Sequence, residues 1–405
     1  MNTAACASGG APDFDHRMAR VALTWIAEPG TRAVHELVRH HGPVTTLEML
    51  LDGDIADDRL RTAVTARLAA GDPRHVAEVA LARAERLGAR IATPEDPDWP
   101  TRLDDLMLLD AVGGDRRIDR ETRPPLCIWT RGAWPLAEAL GRAVAVVGAR
   151  AATGYGTHVA TELGYGLAER GWTVVSGGAY GVDAAAHRGA LTAGGLTVAV
   201  LACGVDRAYP AGHAALFDQI AETGLLVSEW PPGAEPLRHR FIIRNRVIAA
   251  ATAGTVMVEA SARSGAKSTL HRALALRRPA MAVPGPVTSA MSVGCHTVLR
   301  DYPETRLVTG PADVLEEVGR IGIDLAPVPR GPEHPRDLLD TEAARVLEAV
   351  PARRAVGPDE IAGRAGVELR TTLRKLGVLT ELGLLRRVDG GYALARRGGT
   401  DEGST

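Results

Sequence analysis

The sequence predicts an α/β protein: a Rossmann-like, mostly parallel sheet with helices on both faces. A small N-terminal helical domain and a C-terminal winged-helix domain flank it. Three observations carry this reading. Residues 143–187 alternate apolar runs, glycine turns and a helical stretch, the pattern of a parallel sheet with crossover helices. The alternation continues as far as residue 283. A Pro/Gly-rich stretch at 326–335, APVPRGPEHP, then precedes a segment with its own apolar periodicity. The expected organisation is a helical domain over 14–75, the Rossmann-like domain over 85–320, a linker over 321–336 and the winged helix over 337–396.

Within 143–187, the apolar run Val144–Val147 ends at Gly148-Ala149-Arg150. The Gly154-Tyr155-Gly156 turn opens a helical stretch with Val159, Leu163 and Leu167 at helical spacing. A second run, Thr173–Val175, ends at Ser176-Gly177-Gly178. Ligands bind such sheets outside the carboxyl ends of the strands, where both glycine turns fall. Glycine lets a ligand approach the backbone, and the following helix offers free N–H groups to an anion. A lone turn of this kind is as well explained by tight packing. Two of them, one with Arg150 and one with Ser176, favour phosphate. The spacing does not fit G-x-G-x-x-G, and no acidic residue ends the second strand, so dinucleotide binding is disfavoured. Asp183 lies at a helix start, where N-terminal capping is its default role. His187 reads as a packing or supporting residue, since no partner carboxylate is fixed by the sequence.

Further strands are expected at Leu196–Leu201, Gly224–Ser228, Val256–Glu259 and Ala280–Val283. Pro125–Trp129 reads as an edge strand and Gly113–Arg123, GGDRRIDRETR, as an exposed loop. The basic run Arg238-His239-Arg240-Phe241-Ile242-Ile243-Arg244-Asn245-Arg246 puts Arg240 and Arg244 on one face if it is helical. An aromatic among cations suits single-strand binding, where bases stack and phosphates are neutralised. Phe241 as a core residue is the competing reading. Ser264-Gly265-Ala266-Lys267-Ser268-Thr269 opens another helix. It is not a Walker A motif, because Ala266 stands before Lys267 and the upstream glycine is missing. It still makes a phosphate cradle.

These residues carry a resemblance. SGGAYGVDAAAH at 176–187 resembles the central signature of the DNA processing protein A family (DprA, also called Smf). Ala199–Gly204, Tyr209-Pro210, Ser228-Glu229, Phe241, Arg244-Asn245-Arg246, Val258-Glu259, Ser264-Gly265 and Pro284-Gly285 follow in the family's order, so that residues 85–315 are covered. The resemblance implies a non-enzymatic protein that binds single-stranded DNA and loads RecA recombinase during DNA uptake and recombination, as a homodimer and without a cofactor or metal. The candidate DNA- and phosphate-binding set is Gly148, Arg150, Thr153, Gly154, Tyr155, Gly156, Ser176, Gly177, Gly178, Tyr180, Gly181, Arg240, Phe241, Arg244, Asn245, Arg246, Ser264, Gly265, Lys267, Ser268 and Thr269. Several positions depart from the family. Tyr180 stands where arginine is usual, Lys267 where an apolar residue is usual, and His296 where asparagine is common. Lys267 is expected to supply the charge lost at 180 while Tyr180 stacks on a base.

Bulk properties set limits. At 405 residues the chain exceeds one ordinary core. Net charge is −2, so nucleic acid must be met by a local basic surface. Lys267 and Lys375 are the only lysines among 47 Lys and Arg residues. Cys6, Cys127, Cys203 and Cys295 are scattered, which suits reduced thiols in the cytoplasm, and no stretch reads as membrane-spanning. In the N-terminal segment, Pro29-Gly30 is the nearest candidate for a DNA-binding helix hairpin, and a purely packing role weighs equally. In the C-terminal segment, helical patterns at Asp340–Ala349, Pro358–Ala365 and Glu368–Gly377 precede a hairpin at Asp389-Gly390. Arg370, Arg374 and Lys375 fall on its third helix, where a protein-contact role is slightly favoured over DNA. Two rivals remain: a phosphoribohydrolase of the lysine-decarboxylase-like group, whose P-G-G-x-G-T-x-x-E motif is absent, and a nucleotide-sensing scaffold.

Overall fold

The structure is a computed structural model that describes residues 14–112, 121–320, 335–337 and 339–395. It divides into two compact units, up to Ala326 and from Pro327 onward. The first unit starts with five helices: α1 (Phe14–Ile26), α2 (Arg32–His41), α3 (Pro43–Asp52), α4 (Asp58–Leu68) and α5 (Pro73–Arg86). Asp57 and Asp72 cap α4 and α5 by accepting backbone N–H groups of their first turns.

The sheet follows: β1 (Arg90–Ala92), β2 (Ile128–Gly132), α6 (Leu136–Gly141), β3 (Ala143–Gly148), α7 (Gly154–Glu169), β4 (Thr173–Ser176), α8 (Val182–Thr192) and β5 (Thr197–Leu201). It continues with α9 (Ala214–Thr223), β6 (Leu225–Ser228), α10 (Arg240–Ala251), β7 (Gly254–Val258), α11 (Ala266–Ala275), β8 (Ala280–Ala282), α12 (Val293–Asp301), β9 (Thr305–Leu307) and α13 (Pro311–Val318). The strand order is β1-β2-β6-β5-β4-β3-β7-β8-β9. The seven strands from β6 to β9 are parallel, while β2 runs antiparallel to both β6 and β1. The expected Rossmann-like sheet is therefore present. Its order reverses between β3 and β7, whose Gly148 and Val258 are paired in register.

Both faces of the sheet are covered, as a parallel sheet requires. Along β3, Ala143, Ala145 and Val147 enter a core shared with α6, α10 and α11. Val144 and Val146 enter the opposite core, with Leu163 and Leu167 of α7 and Ala186 of α8. Two edge assignments differ from expectation. The run at Pro125–Trp129 becomes β2, one strand in from the edge, because the short β1 pairs outside it. The expected exposed loop 113–123 lies mostly outside the described residues, and its end is buried: Thr122 is 8% exposed and Arg123 3%.

The N-terminal helices share one core with the sheet rather than standing apart. Leu23, Ile26 and Leu50 pack into the cluster that holds Trp129, Leu201 and Phe217. Pro29-Gly30, the nearest candidate for a DNA hairpin, packs in this junction. Gly30 has φ +84, and a Cβ there would lie 2.7 Å from Nε of Arg246, so the glycine admits the guanidinium.

The second unit contains α14 (Thr341–Glu348), α15 (Pro358–Ala365), α16 (Leu369–Glu381) and the antiparallel hairpin β10 (Leu385–Val388) and β11 (Gly391–Leu394). Val356 adds a bridge to Tyr392. Val346, Ile361, Leu376 and Leu379 form its own core.

Candidate nucleic-acid interface

A cleft of about 900 Å³ opens at the carboxyl ends of β3 and β7, where the strand order reverses. This is where open α/β sheets bind ligands. The turn after β3 supplies Gly148 and Arg150, and α10 supplies Phe241, Arg244 and Asn245. The entry to α11 supplies Ser264, Gly265 and Thr269. The cleft also contains residues that the sequence had not singled out as site residues: Tyr209, Arg238, Ser261 and Arg263.

The cations fall into two classes. Arg150, Arg238 and Arg263 are exposed, and among the described residues none has an ion-pair partner. Arg150 lies over the ring of Phe241, its guanidinium carbon 5.2 Å from the centroid. Tyr209 meets the same ring at 5.4 Å between centroids. Tyr209 is 43% exposed and Phe241 partly so, so the pair presents aromatic surface in the cleft that also holds these exposed arginines. Arg244 is different. It is 5% exposed and donates to the carbonyls of Gly177 (2.9 Å) and Val200, and burial pulls its pKa down to about 10 despite the nearby charge of Asp183. Arg244 forms the floor of the cleft more than a mobile clamp.

Two other members of the basic run lie outside the cleft, and both correct the expectation. Arg246 is fully buried. Its guanidinium pairs with both oxygens of Glu229 (3.0 and 2.6 Å) and donates to the carbonyl of Glu121 (2.9 Å). Arg240 pairs with Glu28 at 2.9 Å and stacks on Trp230, whose Nε1 donates to the same carboxylate. Arg240 ties α10 to Glu28, just after α1, and Arg246 ties it to the end of β6 and to Glu121, so both charges are engaged within the chain.

The glycine turns also depart from expectation. A Cβ at Gly177 would lie 2.4 Å from Arg244, and one at Gly148 would lie 2.0 Å from the carbonyl oxygen of Val258. Gly181 has φ +77 and presses on the carbonyl of Ala149, and Gly178 has φ +68 against Phe217. These glycines admit other parts of the chain. Ser176 donates to the carbonyl of Val146. The carboxylate of Asp183 accepts from the N–H groups of Gly177 (3.2 Å) and Ala179 (3.3 Å), so it braces the loop instead of capping α8. Burial raises its pKa against the pull of Arg244. The start of α7 is filled in the same way. Thr153 donates to the carboxylate of Glu259 and accepts from Gly156, while Gly154 and Tyr155 lie outside the cleft. Tyr155 instead donates to the carbonyl of Pro284 at 2.5 Å.

Tyr180 and Lys267 do not line the cleft either. Tyr180 is half-exposed and packs edge-on against His213, at 4.5 Å. Lys267 reaches the carbonyl of Ala262 (3.4 Å), and its charge adds to the Arg300 hydrogen bond that mainly lowers the pKa of Asp301 in α12. They sit beside loops on opposite sides of the reversal point, so the expected compensation between them has no shared contact. Ser268 accepts from Arg272 at 2.8 Å. His187 is buried, bonds Thr197 at 2.7 Å and has its pKa pushed down to about 3 by burial, as suits a packing residue.

A family model described as DNA recombination-mediator protein A matches residues 90–319, which include β1 to β9 and the whole cleft. The chain belongs to that family. It is similar along most of its length to a putative DNA processing protein DprA of Mycobacterium tuberculosis, with 44% identity covering 93% of this chain and 94% of the relative. The DNA processing protein DprA of Streptococcus pneumoniae is 41% identical over 174 residues, 43% of this chain and 61% of that protein. The X-ray structure of DNA processing protein A from Streptococcus pneumoniae superposes with a TM-score of 0.61 at 28% identity, covering 76% of this chain and all of that one. Within the matched region Arg244 and Asn245 line the cleft, Arg244 is held by the carbonyl of Gly177, and the exposed charge comes from the loops beside them.

Proposed function

We propose that this protein binds single-stranded DNA in the cleft at the β3/β7 reversal, without turning it over, and passes the strand to RecA recombinase. One observation carries the binding step: Arg150, Arg238 and Arg263, exposed and without an ion-pair partner among the described residues, line the same cleft as the ring pair of Phe241 and Tyr209, with Arg150 over the Phe241 ring. Single-strand binders combine such charge with aromatic faces, because every base can stack and every phosphate can be neutralised. A duplex hides its base faces, so the rings favour an unpaired strand. The start of α11 adds a phosphate cradle: it opens into the cleft at Gly265, with only the Ser264 hydroxyl accepting the Ala266 N–H at 3.3 Å.

The names of its relatives, DNA processing protein and recombination mediator, support the transfer step. Binding without catalysis is supported by two buried carboxylates at this end of the sheet, Asp183 in α8 and Glu259 after β7, which are both held by the chain's own N–H and hydroxyl groups. The same proposal includes a homodimer, a cytoplasmic location and a winged-helix contact role for the second unit. The test is fluorescence anisotropy with a labelled oligonucleotide, as a single strand and as the duplex of the same sequence. The single strand should bind more tightly at equal salt. Equal or tighter duplex binding would overturn the proposal.

A further inference from the structure

Aromatic surface continues past the rim of the cleft. The turn after β4 leaves the cleft within three residues. Ala179 lines it, Tyr180 stands outside it with 50% of its surface exposed, and Gly181 packs back on the β3 turn. A Cβ at Gly181 would lie 2.2 Å from the carbonyl oxygen of Ala149 and 2.5 Å from that of Arg150. Tyr180 is thus next in the chain to a residue seated on the backbone of Arg150, whose guanidinium lies over Phe241.

The Tyr180 ring is held in place. It meets His213 edge-on at 4.5 Å, and His213, 4% exposed, donates from Nδ1 to the carbonyl of Gly178 at 3.0 Å. A Cβ at Gly212 would lie 2.6 Å from the Tyr180 hydroxyl oxygen, so glycine there makes room for it. One short segment therefore carries Tyr209 against Phe241 at its start and His213 against Tyr180 at its end. The Cα atoms of Tyr209 and His213 are at most about 14 Å apart, the scale of a few nucleotides.

We propose that Tyr180 is a stacking platform for a nucleotide just outside the cleft, so that the site runs on from the Phe241–Tyr209 pair toward the β4 turn. The proposal rests on the single-strand reading of the cleft. A ring already fixed by its neighbours loses little freedom when a base settles on its exposed half. Stacking is open to every base and needs no charge from the protein. A strand confined to the cleft does not reach this ring, whereas a longer one passes over it.

Anisotropy titrations with oligo-dT of increasing length, up to about sixteen nucleotides, compare the unaltered protein with Tyr180→Ala and Tyr180→Phe. For the shortest strand that binds, Tyr180→Ala should change affinity by less than about twofold. For the longest it should lower affinity at least about fivefold, the effect of one stacked base, with the salt slope unchanged. Tyr180→Phe keeps the ring and should match the unaltered protein at every length. An equal loss at all lengths would mean that the ring only steadies the segment under Tyr209, and would overturn the proposal. So would no loss with the longest strand, or the same loss in Tyr180→Phe. These outcomes leave the cleft itself standing. Failure of the unaltered protein to bind oligo-dT of any length would overturn the single-strand reading and this extension together.

Discussion

Arg238 and Arg246 lie eight residues apart in one basic run, yet their replacement by glutamine should produce opposite signatures. Arg246 is fully buried, with two bonds to Glu229 and one to the carbonyl of Glu121. Removing one partner leaves the Glu229 carboxylate, 2% exposed, without its counter-charge. Breaking a buried pair in this way costs about 3–5 kcal/mol. In a unit of this size that corresponds to a fall in Tm of roughly 5–15 °C. Arg238 is exposed, lines the cleft and has no ion-pair partner among the described residues, so Arg238→Gln should leave Tm within about 1 °C. Its effect appears in binding instead. The slope of log affinity against log salt should fall by about 0.7, the value for one phosphate contact on a single strand. Calorimetric unfolding and anisotropy titrations at several salt concentrations read both quantities. A stable Arg246→Gln protein with a reduced salt slope would refute the division of the run into a junction half and a cleft half.

Other consequences can be checked separately. Phe241→Ala should weaken single-strand affinity by the worth of one stacked base, about 1–3 kcal/mol, with the salt slope unchanged. A reduced slope would mean that the ring only positions Arg150. His187 is neutral in the folded protein, with a pKa of about 3 against 6.5 when unfolded. The unfolded chain therefore takes up the proton first, and stability is lost as pH falls below 6.5. At pH 5 the loss relative to neutral pH is about 2 kcal/mol. His187→Gln should flatten that part of the pH profile, and an unchanged profile would assign the loss to other groups. Truncation after Arg330 removes a unit with its own core, so single-strand affinity should stay within a few-fold. A collapse in affinity with the first unit still folded would place DNA on the second.

The central sheet could be read from the sequence because its strands are buried on both faces and appear as short apolar runs between glycine turns. The edges could not. β1 and β9 have three residues each, too few for a periodic signal. The site was half legible. The Arg244-Asn245-Arg246 motif marks the right helix, but on α10 residues 244 and 246 point to different faces, and only packing shows which one meets the cleft. Arg238 and Arg263 stand in loops, where no periodicity assigns them a side. The glycine signatures pointed to the correct sheet end with the wrong occupant. Close approach of a ligand and close approach of Arg244 or Glu259 both demand glycine. No local pattern shows that Glu259, more than a hundred residues away, supplies the anion at Thr153.

The central claim is that Arg150, Arg238 and Arg263 act together as the charged rim of a single-strand cleft. The most direct measurement is the salt dependence of oligo-dT affinity for a protein carrying all three changes to glutamine. The slope should fall by about 2 relative to the unaltered protein, at about 0.7 per contact, with Tm unchanged. A folded triple variant that keeps the original slope would place the strand elsewhere on the molecule.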